Sequence, residues 1–172
     1  MKKLFIMTLA GMMFVNMGLN AQQDTKSFVK QYQKQEGFTT VTIGKPIMRM
    51  LSLFAKFDDD ETLQMLKRVD AIQVISFERG SDNNRYETFS NEALAFCNAN
   101  GYEELIEVTE HSETVKIFGK TEEETITGLI ILNRSNRGSS ATMVCINGKF
   151  TLDDVQSITG NVGKKGKNIA GL

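Results

Sequence analysis

The sequence predicts an α+β fold, in which a largely antiparallel sheet of about five to six strands carries helices packed on it. Helical spacing of apolar residues dominates the first half of the 172-residue chain, whereas β-rich segments follow one another in the second half. A doubly wound α/β fold would instead alternate strands and helices along its length. The length is that of one domain, and we find neither an internal repeat nor an interdomain linker.

The N-terminal segment has the pattern of a secretory signal peptide. Residues 1–21 begin with lysines after Met1, continue with an apolar run over residues 4–15, and end on the small residue Ala21. The run is shorter than the ~20 apolar residues that a transmembrane helix needs. The alternative interpretation is an uncleaved N-terminal anchor. Cleavage after Ala21 would leave a soluble periplasmic or secreted protein with no membrane span.

The first elements of the mature chain are a short helix and a strand. Phe28 and Tyr32 are four residues apart, which predicts an amphipathic helix within residues 24–36, and Gly37 is a natural stop. Residues 38–43 (FTTVTI) are rich in β-forming residues and predict a strand.

A second helix is expected to start near Pro46, which suits the first turn of a helix. Its apolar residues recur at helical spacing, with Met48 and Ala55 widening the stripe. We therefore expect a helix that is covered on most sides, with a buried stripe formed by Ile47, Met50, Leu51 and Phe54.

A third helix is expected to follow the acidic run of residues 58–61 (DDDE), with one Asp as its N-cap. Its apolar positions would be Leu63, Met65, Leu66 and Val69. Residues 71–77 (AIQVISF) predict a strand that is apolar on both faces, and residues 80–84 predict a loop.

The fourth helix is predicted over residues 85–98, with Asn100 and Gly101 as its C-terminal stop. The pattern rests on apolar residues at helical spacing, namely Tyr86, Phe89, Ala93, Leu94 and Cys97.

The remainder is predicted to be a β meander with a short closing helix. The four strands are expected at residues 102–109, 114–120, 125–132 and 141–146, with a turn at 110–113 and a loop at 133–140. The last two strands are apolar on both faces and should therefore lie centrally in the sheet. Asn147-Gly148 is expected to break the last strand, and a helix should open at residues 151–155. Residues 22–160 would form the single domain, and the Gly- and Lys-rich residues 161–172 a flexible tail.

Composition argues against several functional classes. The 20 basic and 21 acidic residues give a net charge of -1, whereas a general nucleic-acid binder carries a basic excess. A single His makes a His-based metal centre hard to build, and two Cys are too few for a four-thiolate zinc site. We find neither G-x-S-x-G nor H-E-x-x-H. No catalytic, cofactor-binding or metal-binding residue is therefore assigned, and no cofactor is expected.

Two acidic runs and one histidine are candidate functional groups. Residues 58–61 could bind a hard cation, but consecutive acids lack the alternating spacing of a calcium loop, so helix capping is favoured. Residues 122–124 are interpreted as a solvated hairpin tip. His111 could act as an acid or base, but its predicted place in a turn favours a surface residue.

The two cysteines and the C-terminal lysines leave alternatives open. Cys97 and Cys145 form either a disulfide, as exported proteins allow, or two buried thiols that pack as small hydrophobes. The absence of C-x-x-C gives no support to a thioredoxin-like role. The glycines at 160, 163 and 166 do not form a phosphate cradle, and the neighbouring lysines would make only a weak, salt-sensitive contact.

Four segments of the mature chain are informative when taken in order, namely residues 37–45 (GFTTVTIGK) with Met48, 101–106 (GYEELI), 115–118 (VKIF) and 146–155 (INGKFTLDDV). In this order they resemble the bacterial family catalogued as domain of unknown function 4252. The resemblance implies an exported protein of a Gram-negative envelope. It implies no activity and no site residues.

The shared segments have a structural interpretation. Gly37 and Gly101 would end helices, Gly148 would turn a strand end, and Thr151 would cap the last helix. Tyr102, beside Glu103 and Glu104, could form a surface patch, but packing with a polar edge is favoured.

We therefore expect a non-enzymatic, soluble periplasmic module that contacts an envelope protein or a small ligand. One alternative is an enzyme that uses carboxylates at residues 58–61 or at Asp153 and Asp154. The other alternative is a stress-linked or regulatory envelope factor.

Overall fold

The computed structural model describes residues 24–54, 64, 66–78, 83–135, 140–151 and 153–155. Several predicted features lie outside the described residues: the signal peptide at 1–21, the acidic run at 58–61, and the tail at 161–172. The elements in chain order are α1 (Thr25–Tyr32), β1 (Phe38–Gly44), α2 (Lys45–Phe54), β2 (Val69–Glu78), α3 (Asn83–Ala99), β3 (Glu103–Thr109), β4 (Glu113–Glu122), β5 (Thr125–Ser135) and β6 (Ser140–Phe150). Residues 66–68 and 153–155 are also helical.

The strands form one six-stranded sheet in the order β1-β2-β6-β5-β4-β3. Every pair of neighbours is antiparallel. The α+β prediction is therefore confirmed. Strands β5 and β6 occupy interior positions, as expected from strands that are apolar on both faces.

One face of the sheet is covered by α1 and α3, and we call it the α1/α3 face. Phe28 and Tyr32 of α1 pack in one buried cluster with Phe89 of α3 and with Ile75 and Ile130 of the sheet. The aromatic rings meet edge to face, with 5.1 Å between the centroids of Tyr32 and Phe89. This cluster is the main core of the domain.

The other face of the sheet, which we call the α2 face, has a smaller buried cluster. Met48 of α2 packs with Leu129 and Phe150, and the partly buried Ile43 and Ile72 lie against them. The predicted stripe of α2 is wrong in its orientation. The helix begins directly after Gly44 with no intervening loop, so the end of β1 fixes which side of the helix faces the sheet. That side carries Met48. The side chains of Ile47, Met50 and Leu51 are 50%, 57% and 42% exposed.

The start of α1 and the end of α3 each have an identifiable cap. The Asp24 carboxylate accepts a hydrogen bond from the Ser27 backbone N–H at 2.6 Å, which is a standard N-cap. Helix α3 ends at Ala99, Gly101 follows it at φ +73°, and the Tyr102 N–H donates to the Cys97 carbonyl at 3.0 Å. A backbone hydrogen bond that reaches back five residues in this way is typical of a Schellman C-cap.

Several predicted boundaries differ from the structure. Val69 begins β2 and does not belong to a helix, and Asn84 lies within α3 where a loop was predicted. Strands β5 and β6 both extend into the predicted 133–140 loop. Strand β6 also continues through Asn147 and Gly148 to Phe150, because β2 and β5 each shift register opposite this point and keep the pairing. Gly148 consequently lies inside a strand and does not turn its end.

The C-terminal cap is as predicted. The Asp154 N–H donates to Thr151 Oγ1 at 3.3 Å, and the Thr151 N–H donates to Asp154 Oδ2 at 2.7 Å. This reciprocal pair is a capping box with Asp in the acidic position. Arg68 also contacts Asp154 Oδ2 at 2.5 Å, which ties the chain before β2 to the chain after β6. No helix within the described part of the chain is long and apolar enough to cross a bilayer.

Candidate functional site

A polar cleft of about 360 Å³ opens on the α1/α3 face, at the end of the sheet where α1 begins and α3 ends. We call it the polar cleft. It lies among loops and strand ends, where binding residues are commonly placed on a rigid scaffold. It is lined by Asp24, Thr25, Phe96, Asn100, Tyr102, Lys120, Glu122, Thr127 and Asn147.

The wall beside α1 is held by a buried amide network. The Asn147 side-chain amide donates to Thr25 Oγ1 at 3.0 Å and to Gln73 Oε1 at 3.3 Å. Thr25 and Gln73 are both buried, so these hydrogen bonds satisfy groups that would otherwise lose their water. The network fixes the start of α1 against β2 and β6, and thereby places the Asp24 carboxylate at the rim.

The floor of the cleft is formed by the chain that leaves α3. The Asn100 side-chain amide donates to the Phe96 carbonyl at 2.8 Å and fixes the helix end. The rings of Phe96 and Tyr102 lie 6.3 Å apart between centroids. The Tyr102 ring crosses Gly128 of β5, where the lack of a side chain leaves room for its hydroxyl. Tyr102 is buried, so the prediction that it packs is correct.

The opposite rim carries charges from β4. The Lys120 ammonium lies 3.8 Å from Glu122 Oε1, with the lysine side chain 24% and the glutamate side chain 63% exposed. Thr127 of β5 donates from Oγ1 to the Lys120 carbonyl at 3.4 Å. With Asp24, the cleft therefore contains one ammonium and two carboxylates.

Two side chains that line the cleft have shifted pKa values. Burial raises the pKa of Tyr102 to about 12, with smaller contributions from the nearby thiols and Glu122. The hydrogen bond from the Ser27 backbone lowers the pKa of Asp24. The phenol therefore stays protonated at neutral pH and the carboxylate stays charged.

A second group of charges lies on the edge strand β3 and its neighbour β4. Lys116 Nζ contacts Glu104 Oε2 at 2.8 Å and Glu107 Oε2 at 2.9 Å. The hydrogen bond from Lys116 lowers the pKa of Glu107, and both glutamates raise the pKa of Lys116. All three side chains are satisfied by one another, as expected for a polar edge of the sheet.

Most of the candidate functional residues that the sequence suggested lie apart from one another in the structure. His111 is exposed in the β3–β4 turn, which agrees with a surface residue. Glu122, Glu123 and Glu124 are exposed at the β4–β5 turn, as predicted, but Glu122 also lines the polar cleft. Asp154 is engaged by Thr151 and Arg68, and no second carboxylate from the described residues is paired with it. Among the described residues, no three His, Cys, Asp or Glu side chains come together as a metal site.

Cys97 and Cys145 are buried free thiols in the main core. Burial raises the pKa of both thiols to about 12. This arrangement corresponds to the second of the two sequence interpretations, in which the cysteines pack as small hydrophobes.

Sequence reasoning missed most of the polar cleft. One available signal was Gln73, a polar residue in the otherwise apolar strand pattern AIQVISF. Another was Asn147, which was interpreted as a strand breaker although its side chain forms the amide network. Asp24, Lys120 and Thr127 gave no signal, since each is an ordinary polar residue at an element end.

A family model described as domain of unknown function (DUF4252) matches residues 32–158. The chain belongs to this family. The match runs from the end of α1 through β6 and the C-terminal cap. It therefore includes Tyr102, Lys120 and Asn147 of the polar cleft, whereas Asp24 and Thr25 precede it. Comparison with curated proteins and with solved structures finds no match.

Proposed function

We propose that this DUF4252 protein is an exported, non-enzymatic binding module that holds a small, uncharged, hydroxyl-rich ligand, such as a mono- or disaccharide, in its polar cleft. The observation that carries the proposal is the cleft itself, which joins aromatic rings, hydroxyls, amides and charged groups around about 360 Å³. A volume of this order suits a small ligand.

The lining chemistry favours an uncharged ligand with many hydroxyls. Carboxylates at Asp24 and Glu122 accept hydrogen bonds, whereas the Lys120 ammonium and the Tyr102 hydroxyl donate them. The two carboxylates outnumber the single ammonium, so a negatively charged ligand would meet net repulsion. The rings of Phe96 and Tyr102 supply the apolar contact that the C–H groups of a sugar ring need.

Export is part of the proposal and rests on the N-terminal pattern. Residues 1–21 combine a basic start, an apolar run and a small residue before the expected cut. Mass spectrometry of the protein from an envelope fraction is expected to give a mature N-terminus at or near Gln22. An N-terminus at Met1 in a cytoplasmic fraction would contradict export without bearing on ligand binding.

The ligand is tested with a panel of neutral mono- and disaccharides, by titration calorimetry and by ligand-observed NMR. We expect binding by at least one member, and a loss of about tenfold in affinity for Tyr102→Phe, because one hydrogen bond to the ligand is removed. Tyr86→Phe is the matched control. Tyr86 is equally buried, and its hydroxyl donates to the Ser135 carbonyl, away from the cleft. No binding across the panel, or equal losses in both variants, would reject the proposed ligand class.

A further inference from the structure

The two edges of the sheet are protected very differently. Edge strand β3 carries three glutamates and a register irregularity after Glu104. Edge strand β1 (FTTVTIG) contains no charged residue and no proline, and it pairs with β2 in unbroken register from Phe38 to Gly44. Proteins normally protect an exposed strand edge with charge, proline or a bulge. Within the described chain, the outer side of β1 has none of these devices and no neighbouring strand.

Exposed large apolar side chains gather at the same edge. Val41 of β1 is 45% exposed, and Ile47, Met50 and Leu51 of α2 are exposed to a similar extent. Helix α2 follows β1 directly and packs on the face of the sheet that Val41 and Ile43 share. With respect to the described residues, the edge therefore offers unpaired backbone groups together with an adjoining apolar surface. Such a surface on a soluble protein marks an interaction site.

Val41 also begins a row of β-branched residues that crosses the whole sheet on the α2 face. In the strand register, each member lies opposite the next: Val41, Val74, Val144, Ile131, Ile117 and Ile106. A strand added beside β1 would extend this row by one more position.

We propose that the occupant of this edge is a second copy of the chain, with the two β1 strands paired antiparallel about a two-fold axis at Val41. Val41 is the central residue of β1, so two copies paired about it overlap along the whole strand. Val41 would lie opposite Val41 of the second copy, Thr40 opposite Thr42, and Thr39 opposite Ile43, all within the strand bounds. No like charges meet, because β1 carries none. The two six-stranded sheets then form one continuous sheet.

A second copy accounts for more of this surface than an unrelated extended peptide does. A two-fold axis perpendicular to the sheet keeps both α2 helices on the same face, beside the joined strands. Each helix then supplies apolar cover for Ile47, Met50 and Leu51 of the other. A single added strand would pair the backbone of β1 and leave these three side chains in water. The self-complementary surface is what an isologous dimer requires.

The first test measures the mass of the purified protein by light scattering over a range of concentrations. We expect a dimer for the natural sequence and a weakening of at least about 100-fold for Val41→Lys, because two ammonium groups would face each other at the axis. Val108→Lys is the matched control. Val108 is also a valine on an edge strand with 45% exposure, but on the glutamate-bearing edge. We expect it to remain a dimer, and circular dichroism checks that both variants fold.

The second test fixes the register by oxidative crosslinking. Val41→Cys should form a covalent dimer readily, since the two sulfurs meet at the axis. Thr39→Cys lies on the same strand and face, but its symmetry mate would be about 13 Å away, beyond the ~7 Å Cα separation that a disulfide spans. The natural thiols are fully buried and do not compete.

Three results would overturn the inference. The first is that the natural sequence is a monomer at every concentration. This result stands against the dimer even if the β1 edge, tested by Val41→Lys, proves to bind a different protein. The second is equal dissociation by Val108→Lys. The third is crosslinking of Thr39→Cys as fast as Val41→Cys. None of these results depends on a ligand in the polar cleft, so they leave the proposed function untouched.

Discussion

The hydroxyl oxygen of Tyr102 lies where a side chain on Gly128 would otherwise stand, since a Cβ atom at that glycine would be 2.8 Å from it. The two residues come from the end of α3 and from β5, so this contact joins the helical layer to the sheet at the floor of the polar cleft. The position of the Tyr102 ring therefore depends on the missing side chain of Gly128.

Gly128→Ala is expected to destabilise the fold by about 1–3 kcal/mol, because the added methyl group displaces a buried ring. Denaturant unfolding monitored by circular dichroism measures the loss. Gly44→Ala is the control, since the nearest atom to its Cβ would be Pro46 Cδ at 3.7 Å. The double variant Gly128→Ala/Tyr102→Phe should recover part of the loss, because the closest atom is the hydroxyl oxygen. Equal losses for Gly128→Ala and Gly44→Ala would contradict the contact.

Alkaline pH should destabilise the protein through Tyr102. Burial raises the pKa of this phenol in the folded state from 10.0 to about 12. The folded state therefore binds the phenolic proton more tightly than the unfolded chain, and its contribution to stability is complete below pH 10 and is lost as the pH rises to about 12. Unfolding curves at several pH values check this. Tyr102→Phe should show a smaller decline over this range, and an identical decline would refute the assignment to Tyr102.

The two cysteines should be unreactive in the folded protein and reactive when it is unfolded. Burial raises the pKa of Cys97 and Cys145 to about 12, so almost no thiolate forms at pH 8. Treatment with iodoacetamide at that pH is expected to leave the folded chain unmodified. After unfolding without a reductant, mass spectrometry should show both cysteines alkylated. Labelling that requires prior reduction would reveal a disulfide and contradict the free thiols.

Asp154 should stabilise the C-terminal cap in a pH-dependent way. Burial opposes its charge, but hydrogen bonds from Thr151 and the contact with Arg68 hold the pKa of Asp154 below 3.8. Its contribution is therefore present above pH 4 and is lost as the pH falls through the lowered pKa. Asp154→Asn is expected to cost about 1–2 kcal/mol near neutral pH. Asp153→Asn, at the exposed neighbour, should change the unfolding free energy little.

The fold class followed from the sequence because its signals are local. Strands β5 and β6 were placed in the interior because apolar residues on both faces need neighbours on both sides. The orientation of α2 did not follow, because the spacing of Ile47, Met50 and Leu51 defines an apolar stripe without saying what covers it. The continuation of β6 past Asn147 was also missed. Its amide partners, Thr25 and Gln73, lie far away in the chain, and only the register of the sheet brings them together.

The same argument explains why the polar cleft was not foreseen. Lys120 and Thr127 are unremarkable polar residues near a hairpin turn, and they line a cleft only because α3 ends against their strands. Packing was favoured over a surface patch for Tyr102, and the residue is buried in the main core. The contact of its hydroxyl with Gly128 depends on the pairing of β3, β4 and β5, which no local pattern specifies.

Strand β6, the last strand in the described part of the chain, lies between β2 and β5 and not at an edge of the sheet. Until residues 140–150 have been synthesised, the β1–β2 pair and the β3–β4–β5 meander have no strand to connect them. A product that ends after β5 but before β6 would therefore carry two open strand sides, one on β2 and one on β5, that could mispair. The two parts of the sheet are therefore joined only when β6 pairs with both, and truncation before residue 140 is expected to promote aggregation.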